Sequence, residues 1–474
     1  MADFSISNIP DATTVIKGKV ELATEAEVAL FADGSKAVTP IGLGYSMVDV
    51  LAYGVTWDED DSSPMLTRTG SLVSTEAGIN PGNSALPIQA MMRRCILNDV
   101  GAVQYYLGAT DSTVKEDGTT ASVLDGTDGQ VMVEIPQFYY KYSYDLSTHV
   151  HSWSISLYPL DGYERHPAFY KDGAWVDYRY IGAYEGIGYD NSTTAYFDGD
   201  DVGDTHLQWP GGTAIDTAND KLGSVTGFAP LMNEIRDNFR SICLNREVGW
   251  RQQDFYLCSA IQLLYLVEYA SFYSQSVIGM GRTNFTGGAW EAANQGNGMY
   301  IGQCGYSNSD GNVTNATDRT VQLNIAAIDT SQASYQDYMS YRGIENFFGN
   351  VWKWVDGFNI NNNIPYVSNV ETDFADGTDS NYTRLTDTGG SGITLYNAND
   401  YQKTLEQTKG GFLPSAGGGS SSTYITDYYY QDAAWRVSRL GGSADSGDVA
   451  GFFYWALHYL SSSASVGIGG RVCF

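Results

Sequence analysis

Apolar positions in this chain alternate far more often than they recur at helical spacing. Val131-Met-Val-Glu-Ile135 and Trp153-Ser-Ile-Ser-Leu157 alternate with period two, the pattern of half-buried strands. One segment breaks that habit. Asp254 to Phe272 carries Leu257, Ile261 and Leu264 at helical spacing, with Glu268 interrupting the outer face. It predicts a mostly buried helix with Asp254 as N-cap. A second helix is predicted from Pro230 to Ile242, with Glu234, Arg236, Asp237 and Arg240 on its wet side. A third, short one is predicted from Thr24 to Ala32. Blocks rich in Gly, Asn and Asp at 186–226, 279–318, 359–400 and 415–423 read as long surface loops.

These elements divide the chain into a small N-terminal module (1–45), a β-rich middle segment (46–128) and one large, loop-rich domain (129–474). Strands together with isolated helices predict an α+β fold. No repeat of 20–50 residues is evident.

Charge narrows the partners. The 474 residues hold 26 Lys+Arg against 55 Asp+Glu, a formal net charge of −29. No basic run is present to attract nucleic acid or an anionic membrane face. The acidity suits the solubility of an exposed, multivalent particle. No uncharged apolar stretch reaches the length of a membrane span, so no membrane insertion is expected. Met1-Ala-Asp-Phe-Ser5 lacks the basic and apolar regions of a secretory signal. The five cysteines (Cys95, Cys243, Cys258, Cys304, Cys473) are scattered and form no CxxC pair. They read as buried thiols of a protein assembled in a reducing cytoplasm, not as a zinc or redox motif. Asn312-Val-Thr and Asn315-Ala-Thr fit glycosylation sequons, which carry meaning only on a secretory route.

The N-terminal module runs Thr13-Thr-Val-Ile-Lys-Gly-Lys-Val-Glu-Leu-Ala-Thr-Glu-Ala-Glu27, then Ala37-Val-Thr-Pro-Ile-Gly-Leu43. Physically it is a short strand, a capped helix and a turn, too small to be stable alone. It resembles a motif of bacteriophage tail fibres. That resemblance implies attachment at the particle-proximal end and a homotrimeric assembly.

Tyr341-Arg-Gly-Ile-Glu-Asn-Phe-Phe-Gly-Asn-Val-Trp-Lys-Trp-Val-Asp-Gly357 reads as a tight turn at Gly349-Asn350 followed by a buried strand. On that strand Trp352 and Trp354 share a face. The segment resembles an element of the C-type-lectin-like fold shared by formylglycine-generating enzymes and the variable proteins of diversity-generating retroelements. Val131–Pro136, Tyr180–Glu185, the 254–272 helix, Trp435–Ser443 and Gly467–Val472 resemble further landmarks of that family, in its order. The middle segment, with Tyr53–Trp57, Leu86–Gln89 and Asp125–Gly129, is similar to the region before this fold in phage proteins.

The fold hosts both enzymes and binders. Its formylglycine-generating members need two reactive cysteines before the closing strand. Ala444 to Val466 contains none. Its iron enzymes use two histidines in a facial set. His149-Val-His151 places two imidazoles at what reads as an exposed hairpin tip, a weak candidate for a metal. The acidic turns Phe197–Asp204 and Asp373–Asp379 have carboxylates suited to a structural Ca²⁺, but neither has EF-hand spacing. No catalytic residue, metal ligand or cofactor is assigned on this basis. A glycan depolymerase, with paired carboxylates hidden among the acids, is the alternative.

The segment Ala444–Val466 lies between two glycine-rich ends, Arg439–Ser443 and Gly467–Val472. Phe452, Phe453, Trp455 and Leu457 are expected to anchor it. Ala444, Asp445, Asp448, Tyr454, Ala456, His458, Tyr459, Ser463 and Ser465 are expected to face outward, with Tyr430 extending the same face. Tyr and Ser suit adaptable recognition, since a Tyr ring gives area and a hydroxyl with few torsions to fix. The family resemblance implies that adenine-directed mutation diversifies such positions. Taken together, the expectation is a virion structural protein, a tail fibre or receptor-binding protein. Its partners would be a host-surface glycan or protein, other tail or head proteins, and two further copies of itself.

Overall fold

The computed structural model describes residues 51–78, 86–197, 215–283, 301–317, 337–465 and 467–474. The expected 1–45 module and its Thr24–Ala32 helix lie outside them. Three α-helices occur among the described residues: α1 (Arg236–Leu244), α2 (Phe255–Tyr269) and α3 (Ser274–Val277). Strand accounts for 35% and helix for 13%. The α+β expectation is therefore corrected: the architecture is close to all-β. The alternation read from the sequence extends through most of the chain, while helical spacing is confined to three short runs.

Three sheets dominate. A five-stranded sheet runs in the order Thr67–Gly70, Ala52–Asp58, Val150–Ser156, Tyr139–Asp145 and Glu164–Arg165. A six-stranded sheet is centred on Gln130–Pro136, which pairs with Arg93–Leu97 on one side and Tyr178–Gly182 on the other. A nine-stranded sheet is built around Trp352–Asn361, which pairs with Trp435–Leu440. Beyond that pair come Trp455–Tyr459, Tyr428–Gln431, Asn399–Leu405 and Pro414–Gly417. No break falls at 128/129. Ala52–Asp58 pairs with Val150–Ser156, and Arg93–Leu97 pairs with Gln130–Pro136, so the middle segment shares two sheets with the large domain.

The alternating strand Val150–Ser156 is half-buried, as its pattern predicts, with His151, Trp153 and Ile155 inward. Gln130–Pro136 is not: every residue is buried, because the sheet is covered on both faces. His149 sits at a hairpin tip with φ 54° and lies 3.0 Å from Asp60 Oδ2. His151 is not at an exposed tip. It is fully buried, 2.9 Å from the Tyr142 hydroxyl and 2.5 Å from Glu59 Oε1, and stacked on Trp153.

Helix α2 starts where expected. Asp254 accepts from the Leu257 amide at 2.9 Å, and Ala270 ends the helix with φ 50°. It has no wet face. Glu268 is fully buried and its carboxylate pairs with Arg342. Helix α1 begins later than predicted, and Arg236 and Arg240 do not face water. Both are buried, held by Asp356 and Asp376. Asp376 is thereby taken from the Asp373–Asp379 turn into an arginine cluster. The other acidic turn, beyond Phe197, lies outside the described residues.

One carboxylate joins the landmark segments. Glu185 is fully buried beside the Tyr178–Gly182 strand. It accepts from Asn350 Nδ2 and from the Val351 amide, and it lies 2.9 Å from Lys353 Nζ. Lys353 Nζ also donates to the Gly349 carbonyl at 2.6 Å. Gly349 and Asn350 take φ 77° and 57°, so the turn needs residues that tolerate the left-handed region. Asn350 Oδ1 accepts from the Gly302 amide at 2.7 Å. Burial lowers the Lys353 ammonium to about 8, against the pull of Glu185. Removing one partner of such a pair leaves the other charge buried and uncompensated. Lys353→Met is expected to cost about 3 kcal/mol, read as a lower urea midpoint at unchanged slope. An unchanged midpoint would show that the pair is not a structural support.

Candidate functional site

The outer face of the nine-stranded sheet is assembled by period-two alternation on neighbouring strands. Tyr430 lies opposite Ala456, and Ala456 lies opposite Arg439. Arg439 lies opposite Trp354. Tyr429, Trp455 and Leu440 form the other, buried face. Phe452, Phe453, Trp455 and Leu457 are buried, the anchoring role expected of them.

The rings on the outer face touch in sequence. Tyr430 stacks on His458 at 3.7 Å with an 18° interplanar angle. His458 meets Tyr459 at 4.5 Å, and Tyr459 meets Trp354 at 6.1 Å. The Arg439 guanidinium lies 3.7 Å from the Tyr459 ring centre and 4.0 Å from that of Trp352. Tyr454 packs edge-on against Trp352 at 4.5 Å, and Tyr428 and Tyr401 continue the row.

The expected outward set divides. Tyr430, His458 and Tyr459 are half-buried and lie together on this face. Asp445 and Asp448 lie beside it on the turn after Ser443, with Asp448 exposed and Asp445 accepting from the Ser443 hydroxyl at 2.6 Å. Ser463 and Ser465 are on the following loop, both half-buried. Ala444, Tyr454 and Ala456 do not face outward. Ala444 is fully buried, its amide donating to the Asn350 carbonyl at 2.8 Å. Ala456 is the small floor between Arg439 and Tyr430, and Tyr454 is covered by Trp352. They shape the face from beneath.

Sequence reasoning places Arg439 in a rigid frame and Trp352 in the core. Their place in the site follows from strand register, which single-strand alternation does not supply. Arg439 is only 6% exposed, makes no ion pair among the described residues, and has a buried Nε without a hydrogen-bond partner. Burial lowers its guanidinium to about 10, with the nearby Tyr hydroxyls opposing. His458 Nδ1 is likewise buried without a partner. A buried cation without a carboxylate is costly, and here the π faces of Tyr459 and Trp352 offset part of that cost.

No His/Cys/Asp/Glu group of three or more that could hold a metal occurs among the described residues. All five cysteines are buried, and burial raises each thiol, which leaves them poor nucleophiles. No family model matches the chain, and no curated protein matches its sequence.

His458 is held down to about 3, first by burial and then by Arg439 and Arg436. Its folded value lies below the unfolded 6.5, so its contribution to stability is full above pH 6.5 and is lost as pH falls towards 3. His166, fully buried, adds in the same direction. Chemical denaturation across that range is expected to show stability falling with acid less steeply in His458→Gln than in the parent. Identical slopes would contradict this placement of His458.

Proposed function

We propose that this chain is a receptor-binding or tail-fibre-type protein of a bacteriophage, with a C-type-lectin-like domain that contacts the host surface. The observation that carries the reading is the outer sheet face. A desolvated guanidinium sits there among rings, with adaptable Tyr, His and Asp side chains around it. Tyr and Arg are the residue types that dominate recognition energies, and a rigid sheet beneath them spares the entropy of ordering a loop. The resemblance of Thr13–Glu27 to fibre attachment segments supports attachment of the opposite end of the chain to the particle. Diversification of the face would act on Tyr430, Asp445, Asp448, His458, Tyr459, Ser463 and Ser465. Individually weak contacts would be strengthened by three copies presented together.

The absence of cysteine between Ala444 and Val466 supports binding over formylglycine-type catalysis. On this reading the protein works in the virion, needs no cofactor, and turns over no glycan.

Two measurements test the proposal. Light scattering of the full chain is expected to give three times the monomer mass; a monomer counts against a fibre. Labelled protein is expected to adsorb to host cells, and Tyr430→Ala with Tyr459→Ala to weaken adsorption by about tenfold or more. Asp60→Ala, in the five-stranded sheet's turn, is expected to change nothing. Equal adsorption of all three proteins would place recognition elsewhere.

A further inference from the structure

A cleft of about 650 Å³ opens between the Tyr170–Trp175 hairpin and the 383–390 loop, away from the sheet face and sharing no residue with it. That volume falls within the range of small-molecule sites. One wall is a rigid hairpin. Asp172 and Gly173 take φ 52° and 83°, both positive as a two-residue turn of this kind requires. The Asp172 carboxylate accepts from the Glu371 amide at 2.8 Å and fixes the hairpin to the neighbouring loop. The turn presents Tyr170 and Trp175 as a cross-strand pair. Their rings meet edge to face at 5.2 Å, and Trp175 is 50% exposed, Tyr170 37%. Exposed large aromatic side chains held rigidly at a cleft mouth are out of place in a folding core and suited to a ligand.

The charge of the cleft is also unusual for this protein. Arg165 lies 5.0 Å over the Trp175 ring and donates to the Tyr139 hydroxyl at 3.4 Å, with no carboxylate partner among the described residues. Arg384, on the opposite wall, donates to the Gly392 and Ile393 carbonyls, and its Nε is buried without a partner. Lys409 is matched by Glu164 at 2.9 Å. The lining therefore holds Arg165, Arg384 and Lys409 against Glu164 and Asp387, one net positive charge with neither guanidinium ion-paired among the described residues, in a chain with 55 acids and 26 bases. The rest of the lining is rich in hydroxyl groups, including Thr383, Thr386, Thr388 and Thr408.

We infer that this cleft binds a saccharide bearing a carboxylate. The open Trp175 face takes the C–H side of a pyranose ring. Arg165 and Arg384 take the carboxylate, and the threonines take the hydroxyls. A nucleotide fits less well. The second ring stands edge-on instead of parallel, so no sandwich is offered to a base.

The test is calorimetric titration of the full chain with three probes: hyaluronan oligomers, oligogalacturonate and sialyllactose. Lactose, the carboxyl-reduced oligomers and UMP serve as comparisons. At least one acidic probe is expected to bind more tightly than its neutral counterpart. Trp175→Ala is expected to weaken it about tenfold. Arg165→Gln, which leaves the hairpin rings in place, is expected to remove the preference for the acidic form. Tyr430→Ala, on the sheet face, is expected to leave this binding intact, so its failure and that of the receptor face are separable. No binding of any acidic probe at roughly 10 mM would overturn the inference. So would equal affinity for neutral forms, tighter binding of UMP, or binding indifferent to both Trp175→Ala and Arg165→Gln.

Discussion

The buried carboxylate of Glu185 is the constraint on which the rest of the molecule depends. A charge removed from water must be matched by donors or it destabilises the fold by several kcal/mol. Glu185 is matched by Asn350, the Val351 amide and Lys353, all from one short turn and strand. Arg471 lies against the same region, donating to the carbonyls of Gly182 at 2.8 Å, Glu345 at 2.6 Å and Asn346 at 3.0 Å. Burial lowers this guanidinium, and the carboxylate of Glu185 opposes that shift. The six-stranded sheet, the left-handed turn and the closing segment are thus held to one point.

That point sets the geometry of the sheet face around Arg439. Lys353 points inward to Glu185, so Trp352 and Trp354 point the other way. The pairing of Trp354 with Arg439 then puts the guanidinium beside the Trp352 ring. The Asn350 carbonyl also accepts from the Ala444 amide, which fixes where the Ala444–Ser465 segment leaves the sheet. The same polar residues that close the core therefore aim the aromatic side chains of this face, of which Tyr430, His458 and Tyr459 are half-buried. Tyr430, His458 and Tyr459 make none of the hydrogen bonds that hold Glu185, Lys353 and Arg471, while Tyr459 lies on the Arg439 guanidinium.

Much of this is legible in the chain. Helix α2 and its Asp254 cap are, because helical spacing and capping act over a few residues. The buried strand after Gly349-Asn350 is as well. Arg236 and Arg240 are misplaced by sequence reasoning because their partners, Asp356 and Asp376, are more than 100 residues away. A long charged side chain reads as solvated until such partners are known. His151 fails for the same reason, its carboxylate lying 92 residues upstream. Ala444, Tyr454 and Ala456 fail for another. Alternation assigns a side chain to a face, but neighbouring rings decide whether that face is covered. The Asp172-Gly173 pair is a plain turn signal that pattern reading passes over. It marks the hairpin that carries Tyr170 and Trp175.

Two chemically distinct surfaces thus emerge on a strand-rich scaffold: an aromatic sheet face around Arg439 and a hydroxyl-lined cleft with two guanidiniums that make no ion pair among the described residues. Both are held by rigid backbone, and both lie far in sequence from the fibre-like segment at 13–43. The central claim is one of orientation: attachment through the N-terminal segment, recognition through the sheet face. Electron cryo-microscopy of the assembled particle tests it most directly. The account predicts the chain in three copies, with the segment around Thr13–Glu27 against the particle and Tyr430, His458 and Tyr459 turned to solvent. A particle lacking the chain, or one in which that sheet face is packed against another virion protein, would contradict it.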